Sequence, residues 1–287
     1  MTANPTRERR ISLGLFALAV IGAIAGIYVF WLHVTTDPLN DVHAYYWAAG
    51  RLNAGLSLYP PDQSVATPLG YPYPPLLAIL FRPLALLPFT AAAVIWELVV
   101  VVASFVATVW WLGPRRRTTW LAIGILALPI GWCLVIGQAQ VPLTLLTAIG
   151  APWSIALAAN IKLFPALIAL WWIGRRDWHS LAVFVATVCG LALVQLVLAP
   201  QASLDYLTAI TLKQVGAVRN FSPYVASPLL WAVLVLAGAG VVLRLSKTRW
   251  GWAAAVIFSV VATPRLLVYM FMTFLAALAA PDGRGRD

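Results

Sequence analysis

The stretch "ISLGLFALAVIGAIAGIYVFWLH", Ile11 to His33, runs without a Lys, Arg, Asp or Glu. Wound as a helix at 1.5 Å per residue, it is long enough to cross a hydrocarbon core of about 30 Å. Similar runs recur along the 287 residues, of which 62% are hydrophobic and 10% charged, with a mean hydropathy of +0.88. A soluble domain would be about half apolar and one-quarter charged. Backbone groups in lipid must bond to one another, and long continuous runs meet that need as helices, whereas a barrel would show alternating segments of about ten residues. The expected fold is an all-α polytopic membrane protein, a single transmembrane domain over residues 1–287. The basic start before Ile11 resembles a signal peptide, but the apolar run is too long and lacks a small-residue cleavage site. An uncleaved anchor is the expectation.

The formal charge of +10 is distributed in clusters. Arg7, Arg9 and Arg10 come first, followed by Arg115–Arg117, then Arg175 and Arg176. Arg244, Lys247 and Arg249 form a fourth group, and Arg284 and Arg286 a fifth. Each lies at the end of an apolar segment, where cytoplasmic anchors belong. A nucleic-acid surface would gather its charge on one soluble face, so no nucleic-acid partner is expected. Cys133 and Cys189 lie within apolar segments and read as packing residues. The 14 tryptophans concentrate near span ends, as at Trp31, Trp110, Trp111, Trp171 and Trp172, which reads as an aromatic belt.

With the first basic cluster inside, "DVHAYYWAAG" (Asp41–Gly50) emerges outside, at the start of an outer loop reaching to about residue 89. The proline-flanked "PYPPLLAILFRPLALLP" then reads as an interfacial or re-entrant segment, because counting it as a span would send Arg115–Arg117 outside. Thr118 to Ile136 leads outward to a turn at Gly137. Gly150, Pro152 and Pro165 divide the return to Arg175 into three short segments, the last two hinging at "IKLFP" (Ile161–Pro165). Such breaks are tolerated where they face protein or a wet cavity. A second outer loop spans 200–227. The expectation is eight to ten crossings, both termini cytoplasmic.

That topology leaves Arg51, Arg82, Lys162, Lys213, Arg219 and Arg265 on the outer side, against the charge rule. Arg51 and Lys213 read as snorkelling side chains. Arg82, Lys162 and Arg265 sit beside prolines in apolar surroundings, where a cation calls for an anionic partner. Among the acids, Glu97 lies within a span, where a structural role competes with a proton relay. Asp41 opens a helix beside aromatics and reads equally as an N-terminal cap, which Asn40 could also supply, or as a catalytic group. His43 could join it, but three scattered histidines make no metal centre.

The order of these features resembles glycosyltransferase family 87, within the GT-C class of membrane glycosyltransferases. The family's outer-loop aspartate and following Tyr-x-Ala-Ala-like helix are matched by Asp41, Tyr45, Tyr46, Ala48 and Ala49, and its Gly…Tyr pair by Gly55 and Tyr59. Its Tyr-x-Pro-Pro-Leu with a second Pro-Leu is matched from Tyr73 to Pro88, its Gly-Gln turn by Gly137 and Gln138, and its Lys-x-x-Pro by Lys162 and Pro165. Asn220 and Ser222 match the late Asn-x-Ser, and Thr263-Pro264 the turn before the last span. The last turn departs, reading "TPRLL" where the family often has Ser-Pro and a Trp/His-rich continuation.

The resemblance implies a GT-C-like bundle that moves a sugar, mannose in this family, from a polyprenyl-phosphate donor to a lipid-linked or glycan acceptor on the outer face of the membrane. It implies Asp41 as catalytic base, and Lys162, Arg82, Arg265, His43, Tyr45, Tyr73, Gln138 and Asn220 as substrate-binding residues. No cofactor or metal is required where Lys and Arg stabilise the phosphate. A transporter for an anionic lipid-linked substrate is the alternative. It would usually show a repeated half, which this sequence lacks.

Overall fold

The computed structural model describes residues 5–60, 70–114, 116–209 and 220–279. Lys213, Arg219, Asp62, Arg115 and the last basic pair lie outside the described residues. Every regular element among the described residues is helical. α1 (Pro5–Thr36) is followed by α2 (Asn40–Asn53) and α3 (Pro75–Phe81). α4 (Phe89–Ile95) continues through a π-helical stretch, Trp96–Val102, into α5 (Ala103–Leu112). Next come α6 (Arg117–Ile125), α7 (Ala127–Ile136), α8 (Gln140–Ile149) and α9 (Pro152–Ile161). A 3-10 turn at Phe164–Ile168 leads into α10 (Ala169–Arg175), then α11 (Trp178–Leu198) and α12 (Pro200–Ala209). α13 (Pro228–Leu245), α14 (Gly251–Val261) and a 3-10 helix at Val268–Leu278 complete the order.

Among the described residues, four helices are long and apolar enough to cross a membrane: Arg10–Thr36, Phe89–Leu112, Trp178–Leu198 and Pro228–Leu245. α1, α11 and α13 leave most of their apolar side chains outside the protein core, the expected disposition of lipid-facing helices. The protein is an integral membrane protein. The span expected from Thr118 to Ile136 is instead two helices meeting at 70°, a possible fifth crossing. Pro129 explains the bend. It has no N–H for the Ile125 carbonyl and its ring crowds that turn, so the helix breaks at Leu126. Among the described residues, the eight to ten crossings expected therefore do not appear as that many full-length helices. Much of the remaining apolar chain is in pieces of about ten residues, among them α8, α14 and the final 3-10 helix.

Those short pieces form the interior. α8 ends at Gly150 in a left-handed conformation and α9 ends at Lys162, whose backbone is extended. The three short segments expected between Gly137 and Arg175 are thus present, with the hinge at Lys162. α3 is only seven residues long, about 10 Å, too short to cross. Trp171 and Trp172 depart from the expected belt: both are buried, and Trp171 donates to the Ser246 carbonyl at 3.1 Å and meets Trp252 edge to face. Trp31, Trp110 and Trp111 are exposed, as a belt requires.

Candidate functional site

α2 sets the site. Its N-cap is Leu39, held left-handed at φ 56°, and no side chain caps the helix. The capping role considered for Asp41 and Asn40 is therefore filled by neither. The Leu39 N–H donates to the Val135 carbonyl at 3.0 Å, pinning the start of α2 to the end of α7. Farther along, the Tyr46 hydroxyl donates to the Leu87 carbonyl at 2.7 Å, and Asn53 exchanges hydrogen bonds with Arg82. Residues 42, 45, 48 and 49 form the buried stripe of this helix. Asp41 and Tyr45 stand one turn apart, so both side chains reach the same neighbour.

That neighbour is Gln138, fully buried in the turn between α7 and α8. Gly137 makes the turn possible. It adopts φ +68°, and a Cβ there would lie 2.1 Å from Val42 Cγ2. The Gln138 amide nitrogen donates to Asp41 Oδ2. Its Oε1 accepts from the Tyr45 hydroxyl at 2.7 Å and from Lys162 Nζ at 3.1 Å. Lys162 is buried and also donates to Gln140 Oε1 at 3.0 Å, while Gln140 donates in turn to Thr273. The ammonium lies 4.8 Å from the Tyr73 ring centroid and 4.9 Å from that of Tyr269. Aromatic faces and amide oxygens suit a cation, but neither neutralises it.

A cavity of about 190 Å³ opens beside this cluster, lined by Tyr73, Lys162, Tyr206, Pro264, Arg265 and Tyr269 among others. Arg265 is half-buried, and its Nε has no hydrogen-bond partner. Asn220 holds the segment that carries it: Nδ2 donates to the Pro264 carbonyl at 2.8 Å, and Oδ1 accepts from Leu266 N at 2.8 Å and Ser222 N at 2.9 Å. A second cavity of about 330 Å³ shares Pro74, Leu163 and Tyr206 with the first and runs on between α9, α11 and α12. Its walls are mostly apolar, with Asn160 and Gln195 bonded to each other at 2.8 Å.

Asp41 is not on the lining of the smaller cavity. It stands within electrostatic reach of Lys162 and Arg265, and its carboxyl is enclosed by protein although the residue keeps some exposure. Burial pushes its pKa up to about 6, against the lowering pull of Lys162, the Gln138 hydrogen bond and Arg265. It is a carboxylate at neutral pH with more basicity than an exposed one.

Of the expected site residues, Asp41, Tyr45, Tyr73, Gln138, Lys162 and Arg265 come together. Arg82 does not. It lies at the opposite end of α3 from Tyr73 and bonds to Asn53 at 2.8 Å, a neutral partner on the far end of α2. His43 does not either: two residues along a helix point to different faces, and its ring stacks on Phe89 at 3.9 Å. Asn220 bonds the backbone around Arg265 rather than lining the cavity. Gln140, Tyr269 and Thr273 join the cluster unannounced by the sequence. Among the described residues no three His, Cys, Asp or Glu side chains gather where they could hold a metal ion. Glu97 has one buried oxygen without a partner, beside Gly137, and forms no ion pair with Lys162.

A family model, glycosyltransferase family 87, matches residues 71–280. The chain belongs to glycosyltransferase family 87. It is 33% identical over 206 residues to the polyprenol-phosphate-mannose-dependent alpha-(1-2)-phosphatidylinositol pentamannoside mannosyltransferase of Mycolicibacterium smegmatis, covering 63% of this chain and 49% of that protein. The protein of the same description from Mycobacterium tuberculosis is 31% identical over 215 residues, covering 66% of this chain and 48% of the relative. A third relative, the polyprenol-phosphate-mannose-dependent alpha-(1-2)-phosphatidylinositol mannoside mannosyltransferase of Mycobacterium tuberculosis, is 29% identical over 225 residues, or 67% and 53% of the two chains. The chain spans about half the length of the curated relatives it matches. No solved structure matches it. The family 87 region takes in Tyr73, Gln138, Lys162, Asn220 and Arg265, and begins after α2, so Asp41 lies outside it.

Proposed function

We propose that this family 87 protein transfers mannose from a polyprenyl-phosphate donor to a lipid-linked acceptor, with Asp41 as general base and Lys162 and Arg265 as ligands of the donor phosphate. The observation that carries this reading is the pairing of a basic carboxylate with two incompletely neutralised cations, one beside the cavity and two on its wall. The acceptor hydroxyl oxygen attacks the anomeric carbon and gives its proton to Asp41. The bond from that carbon to the phosphate oxygen breaks, and its electron pair leaves with the polyprenyl phosphate. Charge grows on the phosphate as it departs, and the ammonium and guanidinium are already in place to stabilise it.

The apolar cavity between α9, α11 and α12 takes the first isoprene units of the donor, since it adjoins the cationic cavity and its walls are mostly hydrocarbon. Arg82 and His43 have no part in this scheme, and Asn220 serves by holding Arg265. The basic clusters orient the chain with both termini in the cytoplasm and the site at the outer face.

The test is transfer by purified protein given polyprenyl-phosphate [14C]mannose and a phosphatidylinositol mannoside fraction. Label should enter the acceptor lipid covalently. Movement of labelled donor across vesicles without a new covalent product would overturn the reading in favour of transport.

A further inference from the structure

We propose that Gln138 is a positioning residue that fixes the Asp41 carboxylate and the Lys162 ammonium with a single amide, and that it does not contact substrate. This rests on the reading of Asp41 as base and deepens it. The resemblance placed Gln138 among substrate-binding residues, yet the side chain is fully buried and both ends of its amide are used within the protein.

The orientation of that amide follows from its neighbours. An ammonium only donates and an ionised carboxylate only accepts, so the oxygen must face Lys162 and the nitrogen must face Asp41. Tyr45 is consistent with the same choice. Its hydroxyl oxygen accepts from Ala139 N at 3.1 Å, which leaves its hydrogen for Gln138 Oε1. The chain of donors runs from the Ala139 N–H through Tyr45 to the Gln138 carbonyl, and from the Gln138 N–H to Asp41. Each bond polarises the next toward holding a negative charge at its end.

The charged and titratable groups around Asp41 come from five directions: Tyr45 on α2, Tyr73 before α3, Cys133 on α7, Lys162 after α9, and Arg265 with Tyr269 from the last segment. Lys162 and Arg265 favour the carboxylate through space, whereas Gln138 and, to a smaller extent, Tyr45 favour it by hydrogen bonding. Removing the Gln138 bond makes Asp41 easier to protonate and leaves Lys162 still held by Gln140. A hydrogen bond to an ionised group corresponds to a shift of about one pH unit or more.

The experiment is the pH dependence of transfer, read as kcat and as donor KM, for wild type, Gln138→Met and Tyr45→Phe, with polyprenyl-phosphate mannose as donor. The acid limb should move upward by about one pH unit in Gln138→Met, with most of the turnover regained on the alkaline side and donor KM changed little. Tyr45→Phe, which keeps the ring, frees the amide to turn over and removes the smaller Tyr45 contribution to Asp41, should move it the same way by less. An acid limb at the wild-type position overturns the proposal, as does a plateau loss carried mainly by a raised donor KM, the signature of a direct ligand. Where Gln138→Met does not yield folded protein, Tyr45→Phe is judged by the same criterion. Asp41→Asn separates the two layers: transfer at wild-type rate with an unchanged limb overturns the base assignment and this inference with it. Loss of transfer there, beside an unmoved limb in Gln138→Met, overturns this inference alone.

Discussion

Lys162 illustrates what a single residue can and cannot reveal. A lysine in apolar sequence three residues before a proline is anomalous enough to be noticed, because a buried ammonium without compensation costs several kcal/mol. What surrounds it was hidden. Its partners are two glutamine oxygens and two tyrosine rings from different segments, and uncharged polar residues draw no attention in a sequence. Arg82 looked the same, a cation beside a proline, and only the fold sends it to Asn53. Lys162→Met should therefore weaken binding of polyprenyl-phosphate mannose strongly, with a smaller fall in Tm from the Gln140 oxygen left unsatisfied, since Gln138 Oε1 keeps the Tyr45 hydroxyl. A large fall in Tm with unchanged donor binding would make Lys162 structural. Asp41 sets the pH dependence of transfer. A base must be ionised to act, so transfer should decline as pH falls through about 6 and hold steady above it until another group titrates. A profile flat from pH 5 to 8 would remove Asp41 from the role.

At the scale of elements, breaks do more than spans. Gly137 ends α7 in a left-handed turn against α2 and so brings Gln138 under Asp41. Gly137→Ala should lower Tm on two counts: about 1–2 kcal/mol for a left-handed alanine, plus a clash with Val42. Adding Val42→Ala should recover the clash share and leave the backbone share, as thermal unfolding of the single and double variants would reveal. No recovery would mean the close approach is not made. The sequence signalled these breaks through glycine and proline, and the hinge at Lys162 and the shortness of α3 were readable that way. The bend caused by Pro129 was not, because proline inside an apolar run is compatible with a continuous membrane helix. The pairing of Leu39 with Val135 was equally hidden, since nothing local marks a leucine for a left-handed conformation.

For the whole molecule, the division is between long helices that face lipid and short ones that enclose polar residues. Lipid-facing helices follow directly from hydropathy, so membrane character and helical class were plain from the sequence. The interior was harder, because its short helices are too brief to register as spans and too apolar to register as loops. The proposed orientation rests on charge alone, and it can be tested by placing cysteines at the exposed positions Ser57 and Thr208. Both should react with an impermeant thiol reagent in intact cells, above the wild-type background from Cys133 and Cys189. Labelling only after permeabilisation would put the site on the inner side. Whether a carboxylate on α2 does the chemistry while cations hold the donor is decided by Asp41→Asn, assayed in one preparation for donor binding and for transfer from polyprenyl-phosphate [14C]mannose. Donor binding should stay near normal while transfer falls by about a hundredfold or more; transfer at the wild-type rate would remove the carboxylate from the reaction.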